Sequence, residues 1–346
     1  MLHGYTEKAM KAATHSQYGS ADVLLVQDVE TPTAGPNQVL VRVHASPVTE
    51  GDRRLRAADF PGFSAVIGRL MFGVFRPRNP VPGTMFAGRI VAVGAAVTRF
   101  AVGDDVFGGC DNGAQAEYLA VNEDAQLAKI PEGVGYEEAA AAPYGAGTAL
   151  AFLRDIAQVQ AGERVLIVGA SGGVGRFAVQ IARHLGAHVT GVASGRNAEM
   201  VTQLGAHAFI DYETEDYTTN GQTYDVIFDL ASGNGFRGAK RSLTKEGRYV
   251  TVYLTLLVLW QMLLGAVLGR SKARFAVVMG DQSLTTDVAA LLADGVVQPV
   301  RAGRYPLARV ADAHAEQESG RAAGTVVVSI HERGSAAPSA PSLKVA

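Results

Sequence analysis

The hydrophobic pattern predicts strands and helices in alternation through the middle of the chain. Four consecutive apolar residues at 165–168 are typical of a buried parallel strand. Phe177, Ile181 and Leu185 follow at the spacing of one helix face. Further strands are predicted at residues 188–193, 209–210, 224–229 and 247–253, with a helix at 198–204. This alternation predicts an α/β fold with a doubly wound parallel sheet over residues 146–280.

The residues before this sheet are predicted to form a compact antiparallel barrel. Within residues 10–145, short apolar runs are separated by glycine and proline, as in strands joined by tight turns. The predicted strands are residues 23–26, 39–43, 88–93, 97–100 and 103–107.

The last ordered part of the chain is predicted at residues 281–330. A helix is expected at 281–292, and the β-branched residues at 325–330 are expected to form a closing strand. Residues 331–346 are rich in Ser, Pro and Ala, and we expect a disordered tail there.

Two apolar segments do not fit these units directly. Residues 60–80 combine phenylalanines with arginines and are interpreted first as a helix and loop that cover the barrel mouth. The alternative is a lid over a hydrophobic substrate. Residues 254–268 are almost purely apolar but fall short of the ~20 residues that span a bilayer. A buried helix or a subunit contact in a homodimer is expected there, and contact with a membrane surface is ranked last.

Composition narrows the class of protein. The net charge of −2 has no basic excess, which argues against nucleic acid as a partner. The single cysteine, Cys110, excludes an intramolecular disulfide framework and a zinc site built on several cysteines. Because the N-terminus also lacks a secretory signal pattern, we expect a cytoplasmic protein.

A glycine-rich turn joins the predicted strand at 165–168 to its helix. The pattern Ala170-x-Gly172-x-x-Gly175 in this context predicts a dinucleotide-binding loop. Glycine lets the backbone approach a pyrophosphate, and the helix N-terminus favours negative charge. The candidate cofactor-binding residues of the loop are Ala170, Ser171, Gly172, Gly173, Val174 and Gly175.

The end of the second predicted strand indicates which dinucleotide is bound. An NAD site usually has a carboxylate there, about 20 residues beyond the loop, for the ribose 2′-hydroxyl. This chain has Ser194, Arg196 and Asn197 and no acid at those positions. A hydroxyl, a guanidinium and an amide suit a 2′-phosphate, so NADPH is the predicted cofactor.

Ordered motifs over some 320 residues resemble those of the medium-chain dehydrogenase/reductase superfamily, and most closely its zinc-free quinone oxidoreductases and enone reductases. The motifs are residues 82–88, 93–94, 100–108, 116–118, 139–143, 147–148, 169–175, 204–206, 210–212, 313–314 and 319–321. The resemblance implies a GroES-like catalytic barrel, interrupted by a Rossmann domain and completed by residues 281–330. It also implies Thr148 and Tyr212 as cofactor-binding residues, the latter beside the adenosine phosphate.

The chain departs from the family at two positions. Met85 stands where relatives have aspartate, and Thr49 replaces an asparagine near the nicotinamide. The cysteine and histidine that bind zinc in zinc-dependent relatives are also missing near these positions. We therefore predict no metal.

The reaction is predicted from the absence of a metal site. Quinones and enones accept hydride with delocalised charge, which one or two hydroxyl donors can stabilise, whereas a simple ketone needs a stronger acid. Thr49 and Tyr144 are the candidate donors, although a turn-capping role for Thr49 and a packing role for Tyr144 remain open. The predicted substrate is a hydrophobic quinone or α,β-unsaturated carbonyl. The alternatives are a metal-free alcohol or aldehyde oxidoreductase and a non-catalytic NADPH-binding protein.

Overall fold

A computed structural model describes residues 9–60, 64–231, 235–268, 272–278, 280–320, 322 and 324–331. The predicted tail therefore lies outside the described residues apart from its first residue, His331.

The first part of the chain is rich in short strands. These are β1 (Ala9–Thr14), β2 (Leu25–Glu30), β3 (Gln38–Val48), β4 (Met85–Val93), β5 (Asp105–Gly109), β6 (Tyr118–Asn122) and β7 (Leu127–Lys129). The helices are α1 (Glu50–Ala57), α2 (Ser64–Phe72) and α3 (Tyr136–Leu150), the last continuing as a wider turn over Ala151–Ile156. The β1 and β2 strands pair only with each other as a sheet, and β3 to β7 form antiparallel pairs.

The middle of the chain forms a six-stranded parallel sheet. Its strands are β8 (Arg164–Val168), β9 (His188–Ala193), β10 (Ala208–Asp211), β11 (Tyr224–Asp229), β12 (Leu243–Thr251) and β13 (Ala273–Phe275). Between them lie α4 (Gly175–His184), α5 (Ala198–Gln203), α6 (Gly235–Ala239) and α7 (Leu256–Leu268). The spatial order β10-β9-β8-β11-β12-β13 is that of a doubly wound Rossmann sheet, which confirms the predicted fold class.

The last part of the chain returns to the first sheet. It comprises α8 (Gln282–Ala293), β14 (Arg301–Pro306), α9 (Val310–Glu318) and β15 (Thr325–Ser329). The β15 strand pairs antiparallel with β3 and parallel with β14, giving a seven-stranded sheet that combines residues far apart in sequence.

The α3 helix joins the two sheets. Residues along α3 contact β3, β4 and β5 of the mixed sheet and also α4, which covers the parallel sheet. Ala139, Ala142 and Ala146 are fully buried in α3, and such small side chains allow close approach on both sides. The α3 helix therefore packs closely against both parts of the fold.

Two predicted strands in the first part differ from the structure. Residues 97–100 are not a strand, because the backbone N–H groups of Thr98 and Arg99 both donate to the Glu123 carboxylate at 2.9 Å. The Glu123 side chain thus accepts from backbone N–H groups that would otherwise form the hydrogen bonds of a β-sheet. The strand predicted at 23–26 begins only at Leu25, after a single tight turn at Ala21–Val23.

The two apolar segments are both helical, but neither is fully buried. In α7, Val258 is buried, whereas Leu256 is 87% exposed and Trp260 is 55% exposed. A buried core helix is therefore wrong for the side chains of residues 256–264, apart from Val258. A subunit contact, or a contact with a membrane surface, is the remaining interpretation of this helix. The α2 helix leads into a loop where Phe75 is 93% exposed. Among the described residues, no helix has the length and hydropathy required to cross a membrane.

Candidate active-site cleft

A cleft of about 560 Å³ lies between the two sheets, at the carboxyl ends of the parallel strands. Gly169, Ser194, Leu230 and Val252 line it, and each directly follows one of four different strands of that sheet. In open α/β sheets this is the edge where ligands bind. Predicted site residues along the cleft are Thr49, Tyr144, Thr148, Ser171, Gly172, Gly173, Val174, Gly175, Ser194, Arg196, Asn197 and Tyr212.

Ala170 is the one predicted site residue that does not line the cleft. It is fully buried, and its backbone N–H donates to the Val192 carbonyl at 3.0 Å. Ala170 therefore anchors the loop to the neighbouring strand β9 and has no surface for a ligand.

The glycine loop has the close packing that a dinucleotide-binding turn requires. Gly169 has a φ of +86°, which favours glycine, and its carbonyl accepts the Gly172 N–H at 3.0 Å. A Cβ on Gly175 would lie 2.0 Å from the Gly169 oxygen, so α4 can pack this close only with glycine there. A Cβ on Gly172 would keep 3.2 Å from the same oxygen, and one on Gly173 would meet nothing within 4 Å. The space beside Gly172 and Gly173 can thus accept a phosphate group at the N-terminus of α4.

The end of β9 presents polar groups to the same cleft. The Asn197 amide donates to the Ser194 hydroxyl at 3.0 Å, while Arg196 is exposed to solvent. Tyr212, which is 61% exposed, lies at the end of the neighbouring strand β10. These residues surround the region expected for the ribose phosphate.

A carboxylate that was not among the predicted site residues lies beside Gly195. Asp211 pairs with Ala193 across β9 and β10, and a Cβ on Gly195 would lie 2.5 Å from an Asp211 carboxylate oxygen. The other oxygen of this carboxylate accepts the Glu213 N–H at 3.0 Å. The residue is distant in sequence from Ser194, and the signals that could have indicated its position are the parallel strand pairing and its place directly before Tyr212.

Thr49 is the N-cap of α1. Its hydroxyl accepts the Asp52 N–H at 3.2 Å and donates to the Asp52 carboxylate at 2.7 Å. The Thr84 hydroxyl donates to the other Asp52 oxygen at 2.8 Å. Burial raises the pKa of Asp52, and the hydrogen bonds from Thr49 and Thr84 oppose that rise. The one proton of the Thr49 hydroxyl is therefore engaged inside the protein.

Tyr144 supplies a different hydroxyl to the cleft. It lies on α3, and a Cβ on Gly51 would be 3.5 Å from its ring, so the ring packs beside the start of α1. Burial raises the pKa of Tyr144 to about 12, against the effect of the nearby Arg54 cation. The hydroxyl stays protonated at neutral pH and can donate a hydrogen bond. Thr148 lies one turn further on, and its hydroxyl donates to the Tyr144 carbonyl at 2.7 Å.

Charged side chains complete this end of the cleft. The Arg54 guanidinium donates to the Glu50 carboxylate at 2.9 Å, and both residues line the cleft. Burial would raise the pKa of Glu50, but hydrogen bonds from Arg53 and Arg54 outweigh it and the pKa is lowered. No motif in the sequence indicates this pair.

Over the part of the chain that the structure describes, no three His, Cys, Asp or Glu residues are grouped to hold a metal ion. The Cys110 thiol lies 3.6 Å from the Gly83 carbonyl, and burial raises its pKa.

Family models match both parts of the chain. Residues 35–132 match the alcohol dehydrogenase GroES-like domain, and residues 204–328 match a zinc-binding dehydrogenase domain. Among solved structures, a quinone oxidoreductase from Coxiella burnetii superposes with a TM-score of 0.81 at 27% identity. That comparison covers 94% of this chain and all of the other.

Curated relatives align over nearly the whole chain. The 2-methylene-furan-3-one reductase of Solanum lycopersicum is 32% identical over 92% of this chain and 79% of its own. The chloroplastic NADPH-dependent alkenal/one oxidoreductase of Arabidopsis thaliana is 32% identical over 93% and 80%. With the Rossmann sheet, the glycine loop and the GroES-like sheet, these similarities show that the chain belongs to the medium-chain dehydrogenase/reductase superfamily and is an NAD(P)-dependent oxidoreductase.

Proposed function

We propose that this protein is an NADPH-dependent, zinc-independent reductase of quinones or α,β-unsaturated carbonyl compounds. The observation that carries the proposal is the cleft itself, which joins the glycine loop and the Arg196 region to the Tyr144 hydroxyl. The names of the reductases from S. lycopersicum and A. thaliana support the same substrate class.

The residues of the parallel sheet would bind the cofactor in an extended conformation along the strand ends. Gly172 and Gly173 leave room for the diphosphate at the N-terminus of α4. Ser194, Arg196 and Asn197 would bind the 2′-phosphate, since a guanidinium donates twice to phosphate oxygens. When bound, the reduced nicotinamide supplies the hydride.

Tyr144 is the proposed hydrogen-bond donor to the substrate oxygen. Its pKa of about 12 keeps the hydroxyl protonated at neutral pH. The hydroxyl can therefore donate a hydrogen bond that stabilises negative charge on the substrate oxygen. The nearby Arg54 cation lowers this pKa and so favours donation by the phenol, whereas the Glu50 and Asp52 carboxylates raise it. Thr49 has its proton engaged by Asp52 and contributes by holding the start of α1 beside Tyr144.

The weak acidity of the Tyr144 hydroxyl supports a quinone or enone substrate. A neutral phenol is a weak acid, and it suits an oxygen whose charge is delocalised over a conjugated system. A localised alkoxide would require a Lewis acid or a stronger proton donor. At this end of the cleft Thr49 and Tyr144 carry hydroxyls, and the Glu50 carboxylate accepts from Arg54. Since zinc prefers a set of thiolate, imidazole and carboxylate ligands, and no three such residues are grouped in the described part of the chain, this donor set supports zinc-independence.

NADPH oxidation with a panel of quinones, enones and simple aldehydes tests the proposal. We expect turnover with quinones or enones and little with aldehydes. Tyr144→Phe should lower kcat about 10²-fold while the Kd for NADPH is unchanged. Turnover of aldehydes alone would indicate an alcohol or aldehyde oxidoreductase, and binding of NADPH without turnover would indicate a non-catalytic protein.

A separate measurement tests zinc-independence. Elemental analysis of the purified protein should find no stoichiometric zinc, and a chelator should leave NADPH oxidation unchanged. One tightly held zinc per chain, with activity lost on chelation, would contradict this part of the proposal.

We also propose that the protein is a homodimer and acts in the cytoplasm. The row of exposed apolar side chains along α7 supports a subunit contact, because leaving it in water costs ~25 cal/mol per Å². A single cysteine suits a reducing compartment. Fluorescence localisation in the source cell tests the compartment.

A further inference from the structure

Arg176 is a buried cation at the edge of the glycine loop. It lies in the first turn of α4, is only 4% exposed and lines the cleft. Its guanidinium donates to the Ser171 carbonyl at 2.9 Å, so the side chain turns back toward the loop. Burial lowers the pKa of Arg176 to about 10. A buried charge of this kind is costly unless an opposite charge or several acceptors compensate it.

Arg56, another buried arginine, shows how such a charge is compensated elsewhere in this protein. Arg56 is 1% exposed and forms hydrogen bonds with the Glu318 carboxylate, the His314 ring and the Gly19 carbonyl. For Arg176, by contrast, no ion pair with a carboxylate is found among the residues that the structure describes. A guanidinium has five N–H donors, and the neutral Ser171 carbonyl accepts only one of them.

We infer that Arg176 donates to the diphosphate of the bound dinucleotide, as an affinity-determining residue of the cleft. Its guanidinium is fixed next to Ser171 and therefore beside Gly172 and Gly173, where the loop leaves room for phosphate. The planar donors match paired phosphate oxygens, and the phosphates supply the negative charge that this buried cation lacks. This inference rests on the proposed function, because it takes the cleft to bind a dinucleotide.

Arg176 and Arg196 lie at different places along the cleft and are expected to contact different phosphates. Arg196 follows β9 and is expected to contact the 2′-phosphate, which only NADPH carries. Arg176 lies at the loop after β8 and is expected to contact the diphosphate, which NADPH, NADH and ADP-ribose share. The two arginines therefore make different contributions that ligand choice can separate.

Calorimetric titration of Arg176→Gln and Arg196→Gln with NADPH, NADH and ADP-ribose tests this assignment. We expect Arg176→Gln to weaken binding of all three ligands by a common factor of about ten or more. Arg196→Gln should weaken NADPH alone. Arg176→Lys retains a charge but loses the planar fork, so it should recover part of the affinity. Thermal unfolding of each variant shows whether it remains folded.

Several results would overturn the assignment. An unchanged affinity of folded Arg176→Gln for ADP-ribose would overturn it. The same holds if only the KM of an anionic substrate rises, because Arg176 would then contact the substrate and not the diphosphate. If the unaltered protein binds none of the three ligands, both this inference and the proposed function fail. If Arg176→Gln does not fold, a crystal structure of the unaltered protein with NADPH decides. The guanidinium is then expected within hydrogen-bond distance of a phosphate oxygen, and contact with Ser171 alone would refute the inference.

Discussion

The Thr49 hydroxyl donates to the Asp52 carboxylate at 2.7 Å, and the Thr49 backbone N–H donates to the same oxygen at 2.8 Å. This reciprocal cap fixes the first turn of α1, and the buried carboxylate depends on it for donors. Thr49→Val should therefore lower the free energy of unfolding by about 1–2 kcal/mol. Chemical denaturation measures the change, and Thr49→Ser is the matched control because it keeps the hydroxyl. Equal stabilities of the valine and serine variants would contradict the capping role.

Gly172 and Gly175 should fail in different ways when substituted. Gly172→Val is expected to fold with some loss of stability, because its Cβ would lie 3.2 Å from the Gly169 carbonyl oxygen and force a small shift there. It is expected to lose NADPH binding, since the side chain fills the phosphate space. Gly175→Ala is expected to lose stability, because its Cβ would lie 2.0 Å from that oxygen. Calorimetry and thermal unfolding separate the two effects. Undiminished NADPH affinity in folded Gly172→Val would refute the role of the loop.

Arg196→Ala should weaken NADPH binding by about 1–3 kcal/mol and leave NADH binding nearly unchanged. The exposed guanidinium is the group proposed for the 2′-phosphate, which NADH lacks. The position of Asp211 beside Gly195 allows a sharper experiment. Asp211→Asn should not weaken NADPH binding, whereas it would weaken NADH binding if that carboxylate held the ribose hydroxyls. Equal affinities of the unaltered protein for NADPH and NADH would contradict the cofactor assignment.

His314 should make the protein less stable in acid. Burial lowers its pKa to about 3, and the nearby Arg56 cation acts in the same direction. The unfolded chain, with a histidine pKa near 6.5, therefore binds more protons than the folded chain between these values. Stability should fall as the pH drops from about 6.5 toward 3, by up to ~1.4 kcal/mol per pH unit from this residue.

His314→Gln should flatten that acid dependence, although the variant itself is expected to be less stable at pH 7. Denaturation midpoints measured at several pH values test this slope. His188→Gln is a suitable control, because that ring lies at the exposed start of β9. A slope that stays unchanged in His314→Gln would show that other groups cause the acid sensitivity.

The exposed face of α7 should determine the oligomeric state. Leu256→Glu combined with Trp260→Glu places two charges among exposed apolar side chains and should convert a dimer into a folded monomer. Light scattering measures the mass, and NADPH binding reports on folding. Charges at Leu25 and Val26, which are exposed on β2, provide a matched control elsewhere on the surface. A monomeric parent that pellets with liposomes, while the double variant does not, would instead show that α7 contacts a membrane.

The parallel sheet was predictable because its signals are local. The apolar run before Gly169 and the helical spacing after Gly175 both lie within about twenty residues, and each strand that follows has its own turn residues. The structure of the first part of the chain was harder to predict, since it depends on contacts between side chains that are distant in sequence. Glu123 replaces a strand ladder at Thr98 and Arg99, which lie about 25 positions earlier in the chain.

In the candidate site, too, local sequence patterns indicate only some of the residues. Residues of the glycine loop carry a recognisable pattern, so their place in the cleft could be anticipated. Asp211 and Arg176 could not be assigned in that way, because strand pairing brings one beside Gly195 and burial gives the other its significance. The exposure of α7 also depends on the whole fold, since an apolar sequence alone does not tell core from contact surface.

The pairing of β15 with β3 has a consequence for how the protein is made. Val326 lies opposite Val48, so about 280 residues must leave the ribosome before this part of β3 finds its partner. At ordinary translation rates the delay is on the order of tens of seconds. The intervening parallel sheet is contiguous in sequence and can fold meanwhile, whereas residues 45–48 wait as an open strand edge. Such an edge invites pairing with other nascent chains, so chaperones that shield unfinished sheets should matter most for the amino-terminal part of this enzyme.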